Sequence, residues 1–351
     1  MNVKETIDIV HEKIYNPTNA DKSLSSYKYA LTSAALKRFF PDISTEEHEL
    51  MYKDILFNQA KAGIEQFDTD IVDELEIINH SDFSLSNQNA QIFATFHLGS
   101  YRAINRYLVD MGFKVVLIID DEVFQNQKDD MLKAYNELKA ISANKNSDFV
   151  ILNVKDRTSI YALKKLIAEG YSLVVYLDGN TGLKKEIDFK KGHKAIIFLG
   201  QKIFVKTGVE FISKITDTKI IPVISYRNKT KSNLAFYEPI CNKSGAIEIC
   251  YKHLENLVRI YPTQWECWLY IHKWFERNNF DLKNTETEPI SGSLAFNSKV
   301  FIPFCRGGSH FLLNRDTYLS YPISKEHFQM FSKQKVVSEN VEEYKSIGAI
   351  C

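Results

Sequence analysis

Phe93–Arg102, FATFHLGSYR, is the stretch of sequence that decides the fold. The apolar run from Gln91 to Phe96 predicts a buried strand that ends at His97, and the residues after Ser100 favour a helix. A strand that delivers a histidine to its carboxyl end, followed by a tight turn, is a common way for an α/β sheet to present a catalytic base. The alternative is that His97 only caps the strand and bonds to backbone, as an isolated histidine often does.

Outward from this stretch, short β-rich runs alternate with helical runs from about residue 88 onward. This alternation predicts an α/β fold with a mostly parallel central sheet flanked by helices. The predicted strands are Gln91–Phe96, Lys114–Ile119, Asp148–Asn153, Ser172–Leu177 and Lys219–Tyr226. The predicted helices are Arg102–Met111, Asp129–Ala143, Thr158–Glu169, Val205–Ile215 and Gly245–Tyr261.

Polar residues follow several of these strands. Sites in parallel sheets lie beyond the carboxyl ends of the strands, where His97, Asp120-Asp121 and Asp178-Gly179-Asn180 fall. The topology therefore favours their convergence at one edge of the sheet.

The flanking sequence predicts three segments, namely an N-terminal helical region at 1–85, an α/β domain at 86–280 and a small appended α+β module at 285–351. Helical spacing before residue 82 includes a stretch at Glu46–Phe67. This region packs on the sheet as a collar, or its many Phe and Tyr side chains line a groove for an acceptor or a lipid.

The tail is set apart by a polar linker, Asn284–Ser293. Lys299–Phe304 and His310–Leu313 predict two strands joined by a glycine turn, and Ser324–Phe331 predicts a short helix. These short elements indicate a small module rather than a continuation of the α/β alternation.

Composition narrows the class of protein. The chain has 351 residues with a formal net charge of zero, which argues against a general nucleic-acid binder. Its five cysteines are odd in number and form no CxxC pair, and the first residues are too polar for a signal peptide. We therefore expect reduced thiols and a cytoplasmic location, with at most a peripheral contact with the inner membrane.

Lys184–Lys206 is a basic stretch in an otherwise neutral protein, with seven lysines against two acidic residues. Such a patch attracts an anionic ligand, or it is a solvated lysine-rich loop. An acidic carrier protein, a phosphate of CoA or phosphopantetheine, or a lipid headgroup would fit the first interpretation. His193, within the patch, is interpreted as a loop histidine rather than a second base.

Five stretches within residues 88–276, more than half of the chain, follow the order and spacing of a known family. They are Phe96-His97-Leu98-Gly99; Leu166–Gly170 leading into Leu177-Asp178-Gly179; Phe198-Leu199-Gly200 followed by Lys206-Thr207-Gly208; Ile220–Val223; and Leu257–Phe275. Together they resemble the lipid A biosynthesis acyltransferase family, the lauroyl/myristoyl branch of the lysophospholipid acyltransferase superfamily. No single stretch is diagnostic, and it is their order that carries the resemblance.

The resemblance implies an acyltransferase-like domain that moves a fatty acyl group from acyl carrier protein, or from CoA, to a hydroxyl. It implies no metal and no cofactor besides the acyl-thioester donor. His97 and Asp178 are the expected catalytic residues. The expected substrate-binding residues are Gly99, Ser100, Arg102, Gly179, Asn180, Phe198, Gly200 and Lys206.

Thr263–Phe275, TQWECWLYIHKWF, holds all three tryptophans of the chain. Their spacing gives one wide apolar helical face. This face docks the last helix onto the sheet, or it closes an acyl pocket.

Arg102 departs from the family's motif, in which Asp or Glu follows the histidine by five residues. A guanidinium disfavours a protonated imidazole and cannot accept a hydrogen bond from it. Three explanations stay open. Another carboxylate, Asp178 or Asp120/Asp121, serves His97; or the acceptor is an amine and Arg102 binds an anionic part of a substrate; or the fold is inactive and kept for binding.

Two further departures shape the expected function. The family usually begins with a membrane-anchoring helix and lacks a tail like 285–351, so a peptide or small metabolite is a better acceptor than lipid A. A backbone N–H near Gly99 would stabilise the oxyanion. The rival hypotheses are an inactive binding protein for a lipid, peptide or carrier protein, and a thioesterase-like hydrolase in which water replaces the acceptor.

Overall fold

The computed structural model describes residues 3–16, 26–68, 70–80, 82–142, 144, 146–156, 158–179, 192–229, 231–241, 245–275, 294–335 and 341–351. The chain divides into two compact units. Unit 1 comprises Met1–Ile14 and Ile55–Cys267, and unit 2 comprises Tyr15–Asp54 and Trp268–Cys351. This division groups the N-terminal region differently from the segments 1–85, 86–280 and 285–351, whose boundaries stay a prediction.

Up to residue 267, the described chain forms nine α-helices, of which the second lies in unit 2. They are α1 (Val3–Tyr15), α2 (Tyr27–Phe39), α3 (His48–Glu65), α4 (Ile71–Glu74), α5 (Ala103–Asp110), α6 (Asp121–Ile141), α7 (Ser159–Ala168), α8 (Gly208–Thr216) and α9 (Ala246–Ile260). The first nine strands are β1 (Leu75–Asn79), β2 (Ile92–Thr95), β3 (Lys114–Ile119), β4 (Asp148–Asn153), β5 (Ser172–Tyr176), β6 (His193–Phe198), β7 (Gln201–Lys206), β8 (Ile220–Asn228) and β9 (Lys231–Phe236).

Unit 1 is built on a seven-stranded sheet in the order β1-β9-β8-β2-β5-β3-β4. Only the β8–β9 pair is antiparallel. β2 lies at the centre, and all four of its residues are buried, as expected for a strand covered on both faces. The predicted fold class, a mostly parallel sheet flanked by helices, is confirmed.

All five predicted strands are present, and β3 and β4 have the predicted bounds. The prediction missed β1 and β9, because their sequences are partly polar and contain no long apolar run. β1 also lies at the edge of the sheet. The prediction also missed the β6–β7 hairpin inside the basic stretch, so the helix predicted from Val205 begins only at Gly208.

The segment at 263–275 is not the predicted α-helix. It forms three short 3₁₀ turns, Pro262–Gln264, Glu266–Leu269 and Ile271–Lys273. The apolar side chains of this segment are almost all buried, and not only those that would share one face of a helix. Trp265 pairs with Leu98 in an isolated antiparallel bridge. An extended backbone at Trp265 is incompatible with a continuous helix, so the tertiary pairing overrides the helical spacing.

Unit 2 holds a three-stranded antiparallel sheet, β10 (Phe301–Arg306), β11 (Ser309–Asn314) and β12 (Ser320–Ile323), followed by α10 (Lys325–Ser332) and α11 (Val341–Ser346). The two predicted strands and the short helix of the tail are present, whereas β12 was missed. Phe301, Leu312 and Phe331 are part of its apolar core. The predicted linker 284–293 lies outside the described residues.

Across the described residues, no helix has the length and apolar character needed to cross a bilayer.

Candidate active site

The turn after β2 positions His97. Gly99 adopts a left-handed conformation, with φ +60°, and an added Cβ would lie 2.7 Å from the Cα of Tyr226 in β8. The backbone N–H of Gly99 donates to Gln264 O at 3.2 Å, and the N–H of Glu266 donates to His97 O at 3.0 Å. The turn is therefore fixed between β8 and the segment that follows α9.

Asp178 comes from the neighbouring strand. β5 runs parallel to β2 with Thr95 opposite Tyr176, so the chain beyond Tyr176 emerges at the same edge of the sheet as His97. Asp178 Oδ1 lies 2.7 Å from His97 Nδ1, and Asp178 Oδ2 accepts the backbone N–H of His97 at 2.9 Å. The carboxylate that sequence placed at a strand end thus contacts the histidine directly.

Two further donors enclose the Asp178 carboxylate, whose side chain is fully buried. Trp265 Nε1 donates to Oδ2 at 2.8 Å, and the Cys267 thiol donates to the same oxygen at 3.4 Å. The burial of a charged carboxylate is offset by these bonds. Because an ionised carboxylate only accepts, His97 Nδ1 carries the proton and Nε2 is the free basic nitrogen of the neutral ring.

The electrostatics of the pair favour a charged carboxylate and a basic imidazole. Desolvation lowers the pKa of His97, but the charge and hydrogen bond of Asp178 and the charge of Glu266 raise it above the ordinary value of 6.5. Burial raises the pKa of Asp178, but the charge of His97 and the bonds from His97 and Trp265 hold it below its usual range. Each partner thus stabilises the charged form of the other.

Two tyrosine rings hold the imidazole. The ring of Tyr176 lies 4.6 Å from that of His97, and the ring of Tyr101 lies 4.7 Å away. Tyr176 donates its hydroxyl to the backbone O of Tyr101, and Tyr101 donates to Glu266 Oε2 at 3.0 Å. The side chain of His97 remains 22% exposed, so a substrate can reach it.

Arg102 stands immediately before α5. Its Nη1 donates to Gln66 Oε1 at 2.5 Å and to Gln127 Oε1 at 3.2 Å, and its Nε donates to the Tyr101 hydroxyl at 3.3 Å. The charge of Arg102 lowers the pKa of His97, although less than Asp178 raises it. Arg102 therefore lies close to the dyad without contacting the imidazole.

The other candidate carboxylates do not serve His97. Asp120 caps α6 through the backbone N–H of Glu122, and Asp121 pairs with Lys155 at 2.9 Å. Both lie at the end of β3, but their bonds join them to α6 and to the residues after β4. Asp178 is thus the carboxylate that sequence reasoning named and the structure brings to the histidine.

The remaining predicted binding residues are spread around this centre, and their binding roles stay predictions. Ser100 is buried, with its hydroxyl 2.7 Å from that of Ser232. Lys206 Nζ donates to Gly179 O at 2.7 Å. Phe198 packs against Trp265. Gly200 completes the β6–β7 turn with φ +76°, and Asn180 lies outside the described residues.

Two of the backbone amides in the turn around Gly99 are already bonded, and an oxyanion donor near Gly99 stays a prediction. The amide of Gly99 donates to Gln264 O, and that of His97 donates to Asp178. Both amides are thus engaged within the protein, and neither is free for an oxyanion. The oxygen of an attacked thioester carbonyl would need a different N–H donor.

Sequence reasoning did not identify five residues that surround the His97–Asp178 pair, namely Tyr101, Tyr176, Trp265, Glu266 and Cys267. Tyr101 and Tyr176 adjoin strand ends already singled out, and that position was the available signal. Trp265 and Cys267 reach Asp178 across 87 and 89 residues of sequence, respectively. No local pattern indicates a contact over that separation.

His97, Asp178 and Cys267 form the one group in the described part of the chain that brings three potential metal ligands within 4.8 Å of one another. Burial raises the pKa of the Cys267 thiol well above its ordinary value, so the thiol is a protonated donor rather than a thiolate ligand. Asp178 already accepts from His97, Trp265 and Cys267. This donor set fits a hydrogen-bonded dyad better than a metal centre.

No family model and no curated protein matches the sequence. Among solved structures, the chain is similar to the crystal structure of the 1-acyl-sn-glycerophosphate (LPA) acyltransferase PlsC from Thermotoga maritima. The identity is 13% and the TM-score 0.33, over 74% of this chain and 96% of that chain. A likeness at this level does not bear on activity, and membership of the lipid A acyltransferase family stays a prediction.

Proposed function

We propose that the protein transfers an acyl group from a thioester of acyl carrier protein or CoA to a hydroxyl or amine. The acceptor we favour is a peptide or a small metabolite rather than lipid A. The single observation that carries the proposal is the 2.7 Å contact between His97 Nδ1 and the buried Asp178 carboxylate, which leaves Nε2 as a general base.

The chemistry follows from the free Nε2 of His97. It takes a proton from the acceptor as the acceptor oxygen or nitrogen attacks the thioester carbonyl carbon. Asp178 stabilises the imidazolium that forms. The tetrahedral intermediate then collapses, the carbon–sulfur bond breaks, and the imidazolium returns the proton to the leaving sulfur. The products are an ester or amide and a free thiol.

The dyad also bears on the rival hypotheses. A histidine without a carboxylate would favour an inactive binding protein, whereas the contact between Asp178 and His97 supports an active enzyme. A hydrolase would use the same base to activate water. Acyl transfer and hydrolysis can be distinguished by their products. A transferase forms an ester or amide of the acceptor, whereas a hydrolase forms the free acid when no acceptor is present.

The test follows a panel of acyl carrier protein and CoA thioesters by mass spectrometry, with a cell extract as the source of acceptors. We expect the wild type to consume one thioester and place its acyl mass on a new product, and His97→Ala to do neither. His310→Ala is the matched control, because His310 lies in unit 2 against Phe328. Full turnover by His97→Ala, or no turnover by the wild type, would contradict the proposal.

A further inference from the structure

Arg102, immediately before α5, and Arg106, within α5, share a partner. Arg102 and Arg106 are four residues apart, which places them on the same side of the helix. Arg102 Nη1 donates to the side-chain oxygen of Gln66, and Arg106 Nη1 donates to the backbone oxygen of Gln66 at 2.7 Å. Both guanidinium groups therefore converge on the chain just beyond the end of α3.

Neither guanidinium forms an ion pair with any residue that the structure describes. The bonds of Arg102 go to a phenol and two amide oxygens, all neutral. Arg106 is only 7% exposed, and its Nε and Nη2 are buried without a hydrogen-bond partner. Burial of a charge without a carboxylate in direct contact is costly, so an anion that enters here gains from pairing with it.

Arg227 is a useful comparison, because it is a buried arginine of the same unit that does have a carboxylate partner. Arg227 is also 7% exposed, and its Nη2 lies 2.6 Å from Glu65 Oε2 in a buried ion pair. Its Nη1 donates to Asn58 at 2.8 Å. Unlike Arg227, neither Arg102 nor Arg106 has a carboxylate partner among the described residues, and this difference distinguishes their site.

Arg102 lies close to His97, with Tyr101 next to both. The Tyr101 ring is 4.7 Å from the His97 ring, and the Arg102 Cζ is 5.6 Å from the same tyrosine ring. Arg102 also stands at the amino end of α5, where the helix dipole favours an anion. A negative group bound by Arg102 would therefore lie close to a substrate atom at His97.

We propose that Arg102, supported by Arg106, binds an anionic oxygen group of the substrate, a carboxylate or a phosphate, and thereby sets the substrate class. With Nε and Nη1 already donating to Tyr101, Gln66 and Gln127, Arg102 offers its positive charge and its Nη2 to an oxygen of either group. The inference rests on the proposed function, because the anionic group is taken to belong to a substrate of the acyl transfer. Anion binding itself is measured without turnover.

The experiment titrates full-length protein, labelled with ¹⁵N-histidine, with sodium acetate and separately with inorganic phosphate. The readout is the imidazole signal of His97 by NMR. We expect one of the two anions to shift this signal in a saturable way and to raise the pKa of His97, since a negative charge favours the imidazolium. Saturation by acetate names a carboxylate substrate, and saturation by phosphate names a phosphorylated one.

Arg102→Gln should bind that anion about tenfold more weakly or worse, because it loses the charged donors. Arg259→Gln is the matched control, since Arg259 is exposed and pairs with Glu255 one turn away on α9, and it should bind as the wild type does. Where Arg102→Gln does not fold, Arg102→Lys replaces it. A lysine keeps the charge but not the planar guanidinium that Tyr101, Gln66 and Gln127 orient, so weaker binding is again expected.

No saturable shift with either anion, or equal affinity in the wild type and the folded Arg102 variant, overturns the inference. These outcomes are independent of catalysis. If the anion binds but no thioester is consumed, the proposed function fails and the anion site stands. If turnover occurs but no anion binds, the reverse holds.

Discussion

At the scale of single residues, Asp178 has the most constrained role. Its two oxygens accept hydrogen bonds from the His97 ring, the His97 backbone, Trp265 and Cys267. An ionised carboxylate can accept all four bonds because it carries no proton of its own. Any substitution that introduces a donor leaves a buried group unpaired or forces the imidazole into its other tautomer.

Asp178→Asn should therefore lose both activity and stability. We expect turnover to fall by roughly 10² to 10⁴, because the imidazolium loses its counter-charge and the favoured tautomer. The free energy of unfolding should fall by about 1–3 kcal/mol from an unsatisfied buried donor. Asp121→Asn, at the end of β3 and paired with an exposed lysine, is the control. Turnover of Asp178→Asn equal to that of the wild type would show that Asp178 is only structural.

The raised pKa of His97 predicts the pH dependence of the reaction. Only neutral His97 accepts a proton, so kcat/KM should rise with pH through a midpoint above 6.5. Arg102 lowers the pKa of His97, so Arg102→Gln should move this midpoint to higher pH. A pH–rate profile measures both. A midpoint below 6.5, or one that moves down in the variant, would rule out His97 as the titrating base.

At the scale of elements, the turn between β2 and α5 decides where the side chain of His97 points. Gly99 combines a left-handed backbone with a contact that leaves no room for a side chain, since its Cβ would also lie 3.1 Å from Ser225 O. The clash is with the backbone of β8, which cannot move without disturbing its pairing with β2. His97, two residues before Gly99, would move with the turn.

Gly99→Ala should cost about 1–2 kcal/mol for the left-handed backbone alone, and more for the clash. Turnover should fall as His97 leaves Asp178. Gly170→Ala separates the two effects, because Gly170 has φ +88° but no atom within 4 Å of an added Cβ. Urea unfolding and thioester turnover of both variants are the measurements. Equal losses in the two variants would show that the contact with β8 is unimportant.

The elements also show what the sequence could predict. The central strands and the position of His97 and Asp178 at strand ends were predictable, because apolar runs fix the strands and parallel topology brings their ends together. The segment around Trp265 was not predictable, since its helical spacing was overridden by a bridge to Leu98. The contact of Asp178 with His97 was one of several candidates, because the sequence does not state which strands are neighbours.

At the scale of the whole molecule, stability depends on a buried polar network in unit 2. Arg315 donates through Nε to Ser33 Oγ at 2.8 Å and through Nη1 to Phe301 O at 2.8 Å. Ser33 Oγ in turn lies 2.9 Å from His48 Nδ1, and His48 is fully buried with no hydrogen-bond partner for its Nε2. A protonated His48 would place a second positive charge next to that of Arg315.

Burial, followed by the charge of Arg315, lowers the pKa of His48 from 6.5 to about 4. The unfolded chain then binds a proton at His48 between these pH values while the folded protein does not, so stability is full above 6.5 and falls as pH drops toward 4. We expect the wild type to lose about 2–3 kcal/mol of unfolding free energy through His48 between pH 7 and pH 4.5. His48→Gln, which cannot titrate, should lose that much less over the same range in urea unfolding, whereas His11→Gln, at an exposed histidine, should follow the wild type. Parallel pH profiles for the wild type and His48→Gln would contradict a buried, neutral His48.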